Sequence, residues 1–220
     1  IISMSFGLNV AISSILICSI FSYILAPFFK RIGTKFNIVD FPDSRRVHKK
    51  PLVRIGGLSI FVVSSIYLFL TKFFISFEYF DSDFLSRFNI FLIGGLLFFL
   101  IGIHDDIFKS SPLLRLCLQF VVAFYFSFNG IRFGLINLDF PFLDQVNISL
   151  PNFLIFVLSS FWIVGITNAI NWLDGIDALA GGYSVILSFG LCVLMLHSGN
   201  IIGVLFFSIL LGSTLGFLFR

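Results

Sequence analysis

The chain has 220 residues, 58% hydrophobic and 11% charged, with a formal net charge of +3 and a mean hydropathy of +1.08. Soluble domains are usually about half apolar and about a quarter charged. A water-soluble fold could not hide this much apolar surface, so a lipid bilayer must solvate it, and no nucleic-acid partner is expected. The three cysteines, Cys18, Cys117 and Cys192, lie inside apolar runs with no CxxC or metal spacing. They read as small core hydrophobes, and no disulfide framework is implied. The chain does not start with Met, and its first apolar run is too long for a signal peptide. The N-terminus is therefore expected to be clipped.

A helix needs about 20 apolar residues to cross the hydrocarbon. Seven runs qualify as candidates: residues 5–29, 57–77, 88–103, 113–129, 152–170, 178–197 and 201–219. The third and fourth are short or carry a charge, Arg115. No internal repeat or low-complexity linker interrupts them. The expectation is an all-α, polytopic membrane protein with about seven transmembrane helices in a single domain over 1–220. Alternation of apolar and polar residues between 130 and 151 predicts a short outer β-hairpin.

Consecutive spans alternate sides, so the exits of spans 1, 3, 5 and 7 share one compartment. Eleven of the 14 Lys and Arg residues fall there: Lys30, Arg31, Lys35, Arg45, Arg46, Lys49, Lys50, Arg54, Lys109, Arg115 and Arg220. Lys72, Arg87 and Arg132 fall on the other side. The excess of cations predicts that the first side is cytoplasmic.

Three polar clusters map to that side. The first is VDFPDSRRVHKKPLVRIGG, residues 39–57, which interleaves Asp40 and Asp43 with Arg45, Arg46, His48, Lys49, Lys50 and Arg54 and closes on Gly56-Gly57. An anchor for anionic headgroups would use the cations alone. The added Asp, His and Pro residues and the glycine pair point instead to a loop that grips phosphate oxygens. The second cluster is Asp105-Asp106 in IGIHDDIF. Two adjacent carboxylates at a helix C-terminus oppose the helix dipole, so packing does not select them. Metal binding or general-base work does. His104 beside them reads equally well as a bystander. The third cluster, TNAINWLDGIDALAGG, repeats Asn168, Asn171 and Asp174 every three residues and adds Asp177. Capping of a broken helix is the plainer alternative. Polar groups at membrane depth favour a functional site, and oxygen ligands without thiols suit Mg²⁺ or Mn²⁺. Carboxylates opposite a basic loop are the equipment of phosphoryl or phosphosugar transfer.

These three segments, in this order and at these span ends, resemble the polyprenyl-phosphate N-acetylhexosamine-1-phosphate transferases over residues 5–220. The resemblance implies a fold of transmembrane helices in the bacterial cytoplasmic membrane, with the active site facing the cytoplasm. It implies transfer of N-acetylhexosamine-1-phosphate, chiefly N-acetylglucosamine-1-phosphate, from a UDP-sugar to undecaprenyl phosphate, with release of UMP. By motif match, Asp105 and Asp106 are the catalytic aspartate pair, with Asp105 the candidate base or a direct participant. Asp174 matches the principal Mg²⁺ ligand. Asn168, Asn171 and Asp177 match positions lining the nucleotide and metal pocket, and Arg45, Arg46, His48, Lys49 and Arg54 are the expected substrate-binding residues of the basic loop. That loop is closer to the acetylglucosamine branch than to the phospho-N-acetylmuramoyl-pentapeptide branch, whose loop ends Pro-Thr-Met-Gly-Gly.

Two departures from the family pattern stand out. Many relatives carry a Lys where this chain has Leu113, so Arg115 or Lys109 is expected to take its place. The family also continues past span 7, so the chain reads as a portion truncated at its C-terminus, with little transferase activity expected of the portion alone. Single displacement and a covalent intermediate both remain open, as do a homodimer, the exact sugar and the polymer pathway. A transporter is the main rival, and it would place acids at span middles. The CDP-alcohol phosphotransferases share Asp-Gly followed by Ala, but their pattern needs an Arg where Leu179 stands and further Asp residues after Asp177. A non-catalytic scaffold leaves the polar stripe unexplained.

Overall fold

The computed structural model describes residues 2–36, 39–40, 52–74, 82–134, 136–138, 146–148, 150–173 and 179–220. Among them are seven α-helices: α1 (Ile2–Lys35), α2 (Leu58–Phe74), α3 (Ser82–Phe108), α4 (Pro112–Phe128), α5 (Asn152–Leu173), α6 (Leu179–His197) and α7 (Ile201–Leu218). Each falls on one of the seven expected apolar runs. Five stretches, Met4–Lys35, Arg87–Phe108, Asn152–Leu173, Leu179–His197 and Ile201–Leu218, are long and apolar enough to cross a membrane. The apolar stretches Leu58–Thr71 and Pro112–Phe128 are shorter. At 17 residues α4 rises about 26 Å, a little less than a typical hydrocarbon core of about 30 Å.

Two helices outrun their apolar runs. α1 continues through Lys30 and Arg31 to Lys35, and α3 continues through Asp105 and Asp106 to Phe108. Backbone hydrogen bonding is satisfied within a helix whatever solvates its side chains. The helix can therefore carry charged residues beyond the lipid, and apolar content marks only its membrane-embedded part. Pro27 lies inside α1 and is accommodated there.

Two short antiparallel pairs accompany the helices. Val39–Asp40 (β1) pairs with Leu52–Val53 (β2), in register Val39 with Val53 and Asp40 with Leu52, so the two flanks of the basic loop are tied together. Ile136–Leu138 (β3) pairs with Val146–Ile148 (β4), inside the segment where alternation predicts a hairpin.

The chain groups into two compact units, residues 1–79 with 171–220, and residues 80–170. In the first, α7 is the hub on which α1, α2 and α6 pack. Half of the α7 span is buried, against 22% for α1 and 11% for α6. The reason lies in GSTLG, residues 212–216. A Cβ at Gly212 would stand 2.5 Å from the Ile15 carbonyl oxygen, and one at Gly216 would collide with the backbone of Ser19. The two glycines are one turn apart on one face, and they let the α1 and α7 backbones meet directly. Close packing of small residues is a main source of helix association where lipid removes the hydrophobic drive. Hydroxyl pairs tie α2 to each of them: Ser14 of α1 with Tyr67 at 3.2 Å, and Ser64 with Ser213 of α7 at 3.0 Å. Ala11, Cys192 and Val204 form a buried cluster flanked by Met195, Leu196 and Phe207.

In the second unit, Phe126 of α4 fills the space over Gly94 of α3 and stacks on Phe98 with ring centroids 6.2 Å apart. α4 meets α5 through Phe120–Phe161 and Phe124–Phe156 ring contacts at 5.0 and 5.3 Å. A buried Ser127–Ser160 hydroxyl pair at 3.0 Å adds to that contact.

Gly212→Ala and Gly216→Ala should each destabilise the protein in detergent by about 1–3 kcal/mol, because the obstructing atoms belong to backbone and cannot rotate away. Gly190 of α6 has nothing within 4 Å of its added Cβ, so Gly190→Ala should instead stabilise by about 0.5–1 kcal/mol. Unfolding midpoints of the three variants in one detergent check both signs.

Candidate active site

α3 ends where its charge is concentrated. Lys109 adopts φ 49°, in the left-handed region, while its N–H still donates to the Asp105 carbonyl at 2.8 Å. That conformation stops the helix and turns the chain. Three residues, Lys109–Ser111, then suffice to start α4, with Ser111 as its cap (Leu114 N–H to Oγ, 3.3 Å) and Pro112 in its first turn. The last turn of α3 and the first turn of α4 are thereby held side by side.

The consequence for Asp105 is direct. Arg115 Nη1 donates to Asp105 Oδ2 at 2.8 Å, and both side chains are 24% exposed. The guanidinium offsets negative charge at a helix end where the dipole disfavours it. Arg115 is thus a cation that meets the first aspartate of the pair, Asp105. Leu113 is strongly exposed, and Lys109 contributes its backbone to the turn. Asp106 is half-buried beside its neighbour in the last turn of α3. His104 Nδ1 lies 2.8 Å from Ser110 Oγ, and its ring rests on Phe108 with centroids 4.8 Å apart. Its visible engagement is with the α3–α4 turn.

Deeper along α4, one turn beyond Arg115, is Gln119, which is only 5% exposed. Its Oε1 accepts from Asn168 Nδ2 of α5 at 2.7 Å, and the same Nδ2 donates to the Val164 carbonyl at 2.8 Å. The contact with a carbonyl fixes which end of the Asn168 amide is nitrogen. Its Oδ1 takes no part in either bond. Asn171, three residues on, is exposed, as is Trp172. A three-residue step falls about 60° short of a full turn, and the two asparagines differ in environment, Asn168 half-buried and Asn171 exposed.

In the unit containing α1, α2, α6 and α7, the glycines that close the other two clusters find a shared support. Gly56 lies within the turn Arg54–Gly57, and its added Cβ would lie 3.0 Å from Phe217 Cζ. Gly181, in the first turn of α6, would place one 2.7 Å from Leu218 Cδ2. Phe217 and Leu218 are successive residues at the end of α7. Gly57 and Gly182 meet nothing within 4 Å. The descending stem of the basic loop and the start of α6, immediately after the acid-rich segment, are therefore seated at one end of one helix. Arg220 completes that end, with its guanidinium 5.2 Å over the Tyr23 ring and Nη1 3.4 Å from the Tyr23 hydroxyl.

Of the expected site residues, Asp105, Asp106, Asn168 and Asn171 are described in full, and Arg54 by its backbone alone. Arg45, Arg46, His48, Lys49, Asp174 and Asp177 lie outside the described residues. Among the described residues, no three His, Cys, Asp or Glu side chains cluster in a way that could hold a metal ion. Sequence reasoning passes over Gln119, whose only signal is a lone amide in an apolar run.

Residues 88–220 match the family model described as Glycosyl transferase family 4. The chain is 34% identical over 203 residues to a probable undecaprenyl-phosphate N-acetylglucosaminyl 1-phosphate transferase of Bacillus subtilis, covering 89% of this chain and 51% of that protein. It is 28% identical to an undecaprenyl-phosphate alpha-N-acetylglucosaminyl 1-phosphate transferase of Thermotoga maritima, over 77% of this chain and 48% of that one. A phospho-N-acetylmuramoyl-pentapeptide-transferase of Leuconostoc citreum is 37% identical over 58% of this chain and 39% of its own length. The chain spans about half the length of the first two of these relatives.

The Asp105–Arg115 pair is open to a double-mutant cycle. Arg115→Met, Asp105→Asn and the double variant should show a coupling of about 0.5–1 kcal/mol in unfolding free energy, the upper range for a partly exposed pair. Strictly additive single effects would mean that the two groups do not interact.

Proposed function

The chain belongs to glycosyl transferase family 4, and from that premise we propose that it serves in the transfer of N-acetylglucosamine-1-phosphate from its UDP-sugar to undecaprenyl phosphate at the cytoplasmic membrane. The observation that carries this reading is the seating of Gly56 and Gly181 against Phe217 and Leu218. It seats Gly56, which follows the basic loop in sequence, and Gly181, which follows the acid-rich segment, at the same end of one helix unit, and this supports the reading that the two segments act together. Such a pairing of cations with carboxylates suits a pyrophosphate handled with a divalent ion. The acetylglucosamine relative also matches over more of this chain than the muramoyl-pentapeptide relative does, 89% against 58%.

In the proposed reaction, an oxygen of the lipid phosphate attacks the sugar-bearing phosphorus of the donor. The bond from that phosphorus to the bridging oxygen breaks, and UMP leaves with that oxygen. The product is a lipid-linked pyrophosphate sugar. Asp105 takes the proton of the lipid phosphate. Arg115 holds its Oδ2, so Oδ1 is the oxygen of the carboxylate assigned to the proton. Asp106 lies beside it as the second acid of the pair. Arg45, Arg46, His48, Lys49 and Arg54 bind phosphate oxygens, while Asn168, Asn171 and Asp177 bind the donor. Asp174 would hold Mg²⁺ (Mn²⁺ is the chemical alternative), since a donor set of carboxylate and amide oxygens suits a hard divalent ion. When bound, the ion neutralises charge on the pyrophosphate. Helix alternation and the cation excess support a cytoplasmic side for this chemistry.

The test supplies labelled UDP-N-acetylglucosamine and undecaprenyl phosphate to the full-length protein in membrane vesicles. Label should pass to lipid with Mg²⁺ present, stop on chelation and resume when Mg²⁺ is restored. Asp105→Asn, Asp106→Asn and Asp174→Asn should each lower transfer by at least about 100-fold, the low end for loss of an acid–base group. Retained transfer in Asp174→Asn would remove the metal assignment. Transfer from UDP-N-acetylmuramoyl-pentapeptide alone would move the protein to the other branch.

A further inference from the structure

We infer that Gln119 is a positioning residue for the nucleotide-sugar donor, acting by locking the side-chain amide of Asn168 so that its oxygen, and not its nitrogen, is presented to the ligand. This rests on the transferase reading above.

The argument begins with cost. Gln119 lies on an otherwise apolar helix and is 5% exposed. An amide buried without a partner is unfavourable, and a leucine of similar size would pack there without that burden. Holding the helices together does not explain the choice. Interhelical hydrogen bonds in membranes contribute little on average. The same α4–α5 pair is already joined by the Ser127–Ser160 hydroxyls and by two ring contacts.

What Gln119 adds is orientation. The terminal torsion of an asparagine is broad and nearly two-fold, so oxygen and nitrogen exchange places easily. The Val164 carbonyl engages Asn168 Nδ2 at 2.8 Å, and Gln119 Oε1 engages it again at 2.7 Å. The amide nitrogen has two hydrogens, and these two acceptors use both. Reversing the amide would set its oxygen against the Val164 carbonyl oxygen. Asn168 is thereby fixed as an acceptor toward anything that approaches it. Its counterpart in the ligand must be a hydrogen-bond donor: the imide N–H of a pyrimidine base, or a hydroxyl of the ribose or the sugar. Asn168 itself is half-buried, near the end of α5 that leads to Asn171. The placement suits a group that reads a ligand from the rim of the bundle.

The test measures equilibrium binding of UDP-N-acetylglucosamine to the purified full-length protein in detergent with Mg²⁺ present, together with KM and kcat for transfer. Gln119→Leu should weaken donor binding and raise KM about tenfold (about 1.4 kcal/mol), with kcat changed less than threefold. Gln119→Glu keeps an acceptor oxygen at the position and should restore affinity to within threefold. In an Asn168→Ala background, Gln119→Leu should have no further effect on binding. A purely structural glutamine would lower the unfolding midpoint in Gln119→Leu while leaving donor affinity intact, and that result would overturn the inference. So would a tenfold loss that persists undiminished in the Asn168→Ala background. If the unsubstituted protein binds no UDP-sugar, the transferase reading falls and this inference with it. If it binds normally and the variants match it, only the role of Gln119 falls.

Discussion

The contact on which the first unit depends is that between the α1 and α7 backbones at Gly212 and Gly216. Lipid is as apolar as the side chains it bathes, so helices gain little by merely hiding hydrophobic surface from one another. They must gain by fitting. Removing two Cβ atoms one turn apart lets α7 lie directly on Ile15 and Ser19. The buried hydroxyl of Ser213 then comes within 3.0 Å of Ser64 on α2. Once α7 is fixed in depth and rotation, so are its last residues. Phe217 and Leu218 become a platform, and Gly56 and Gly181 are small because that platform is already occupied by larger side chains. A packing decision in the middle of the bundle thus sets the position of Gly56 and Gly181 at its end.

The second unit solves a different problem. Carboxylates at the end of α3 need compensation, and the turn through Lys109 delivers it by placing Arg115 within 2.8 Å of Asp105. The left-handed residue, the Ser111 cap and Pro112 serve one geometric end, which is to reverse the chain in three residues. A longer connection would leave Arg115 free to point elsewhere. Beyond it, Gln119 and Asn168 extend the polar line from the α3–α4 turn into the α4–α5 contact.

Much of this was legible in the sequence, for identifiable reasons. Seven apolar runs became seven helices because hydrocarbon admits few alternatives to a helix. The hairpin at Ile136–Ile148 followed from side chains alternating between polar and apolar. The aspartate pair and the glycine pairs were visible as residues out of place. Partners were not legible. Gly56 signals only that something comes close, and its sequence neighbours do not name Phe217. Arg115 appeared as an unwelcome charge in a span, and folding makes it the counterion of Asp105. Asn168, Asn171 and Asp174 read as one stripe. In the helix, Asn168 turns inward to Gln119 while Asn171 faces out, because a step of three falls short of a full turn. Helix ends were also misjudged, at Lys35 and Phe108, since hydropathy senses the lipid boundary and a helix can cross it.

The central claim is that the exits of α1, α3 and α5 open to one compartment, the cytoplasm. Single cysteines in a background lacking Cys18, Cys117 and Cys192 test this most directly, placed at Ser44, Ser110 and Ala178, with Ser82 and Ser198 marking the opposite side. A membrane-impermeant maleimide applied to intact cells should label Ser82→Cys and Ser198→Cys and spare the other three until the membrane is opened. Labelling of Ser44→Cys and Ala178→Cys from opposite sides of the membrane would contradict the account, since the basic loop and the acidic segment could then never act on the same pyrophosphate.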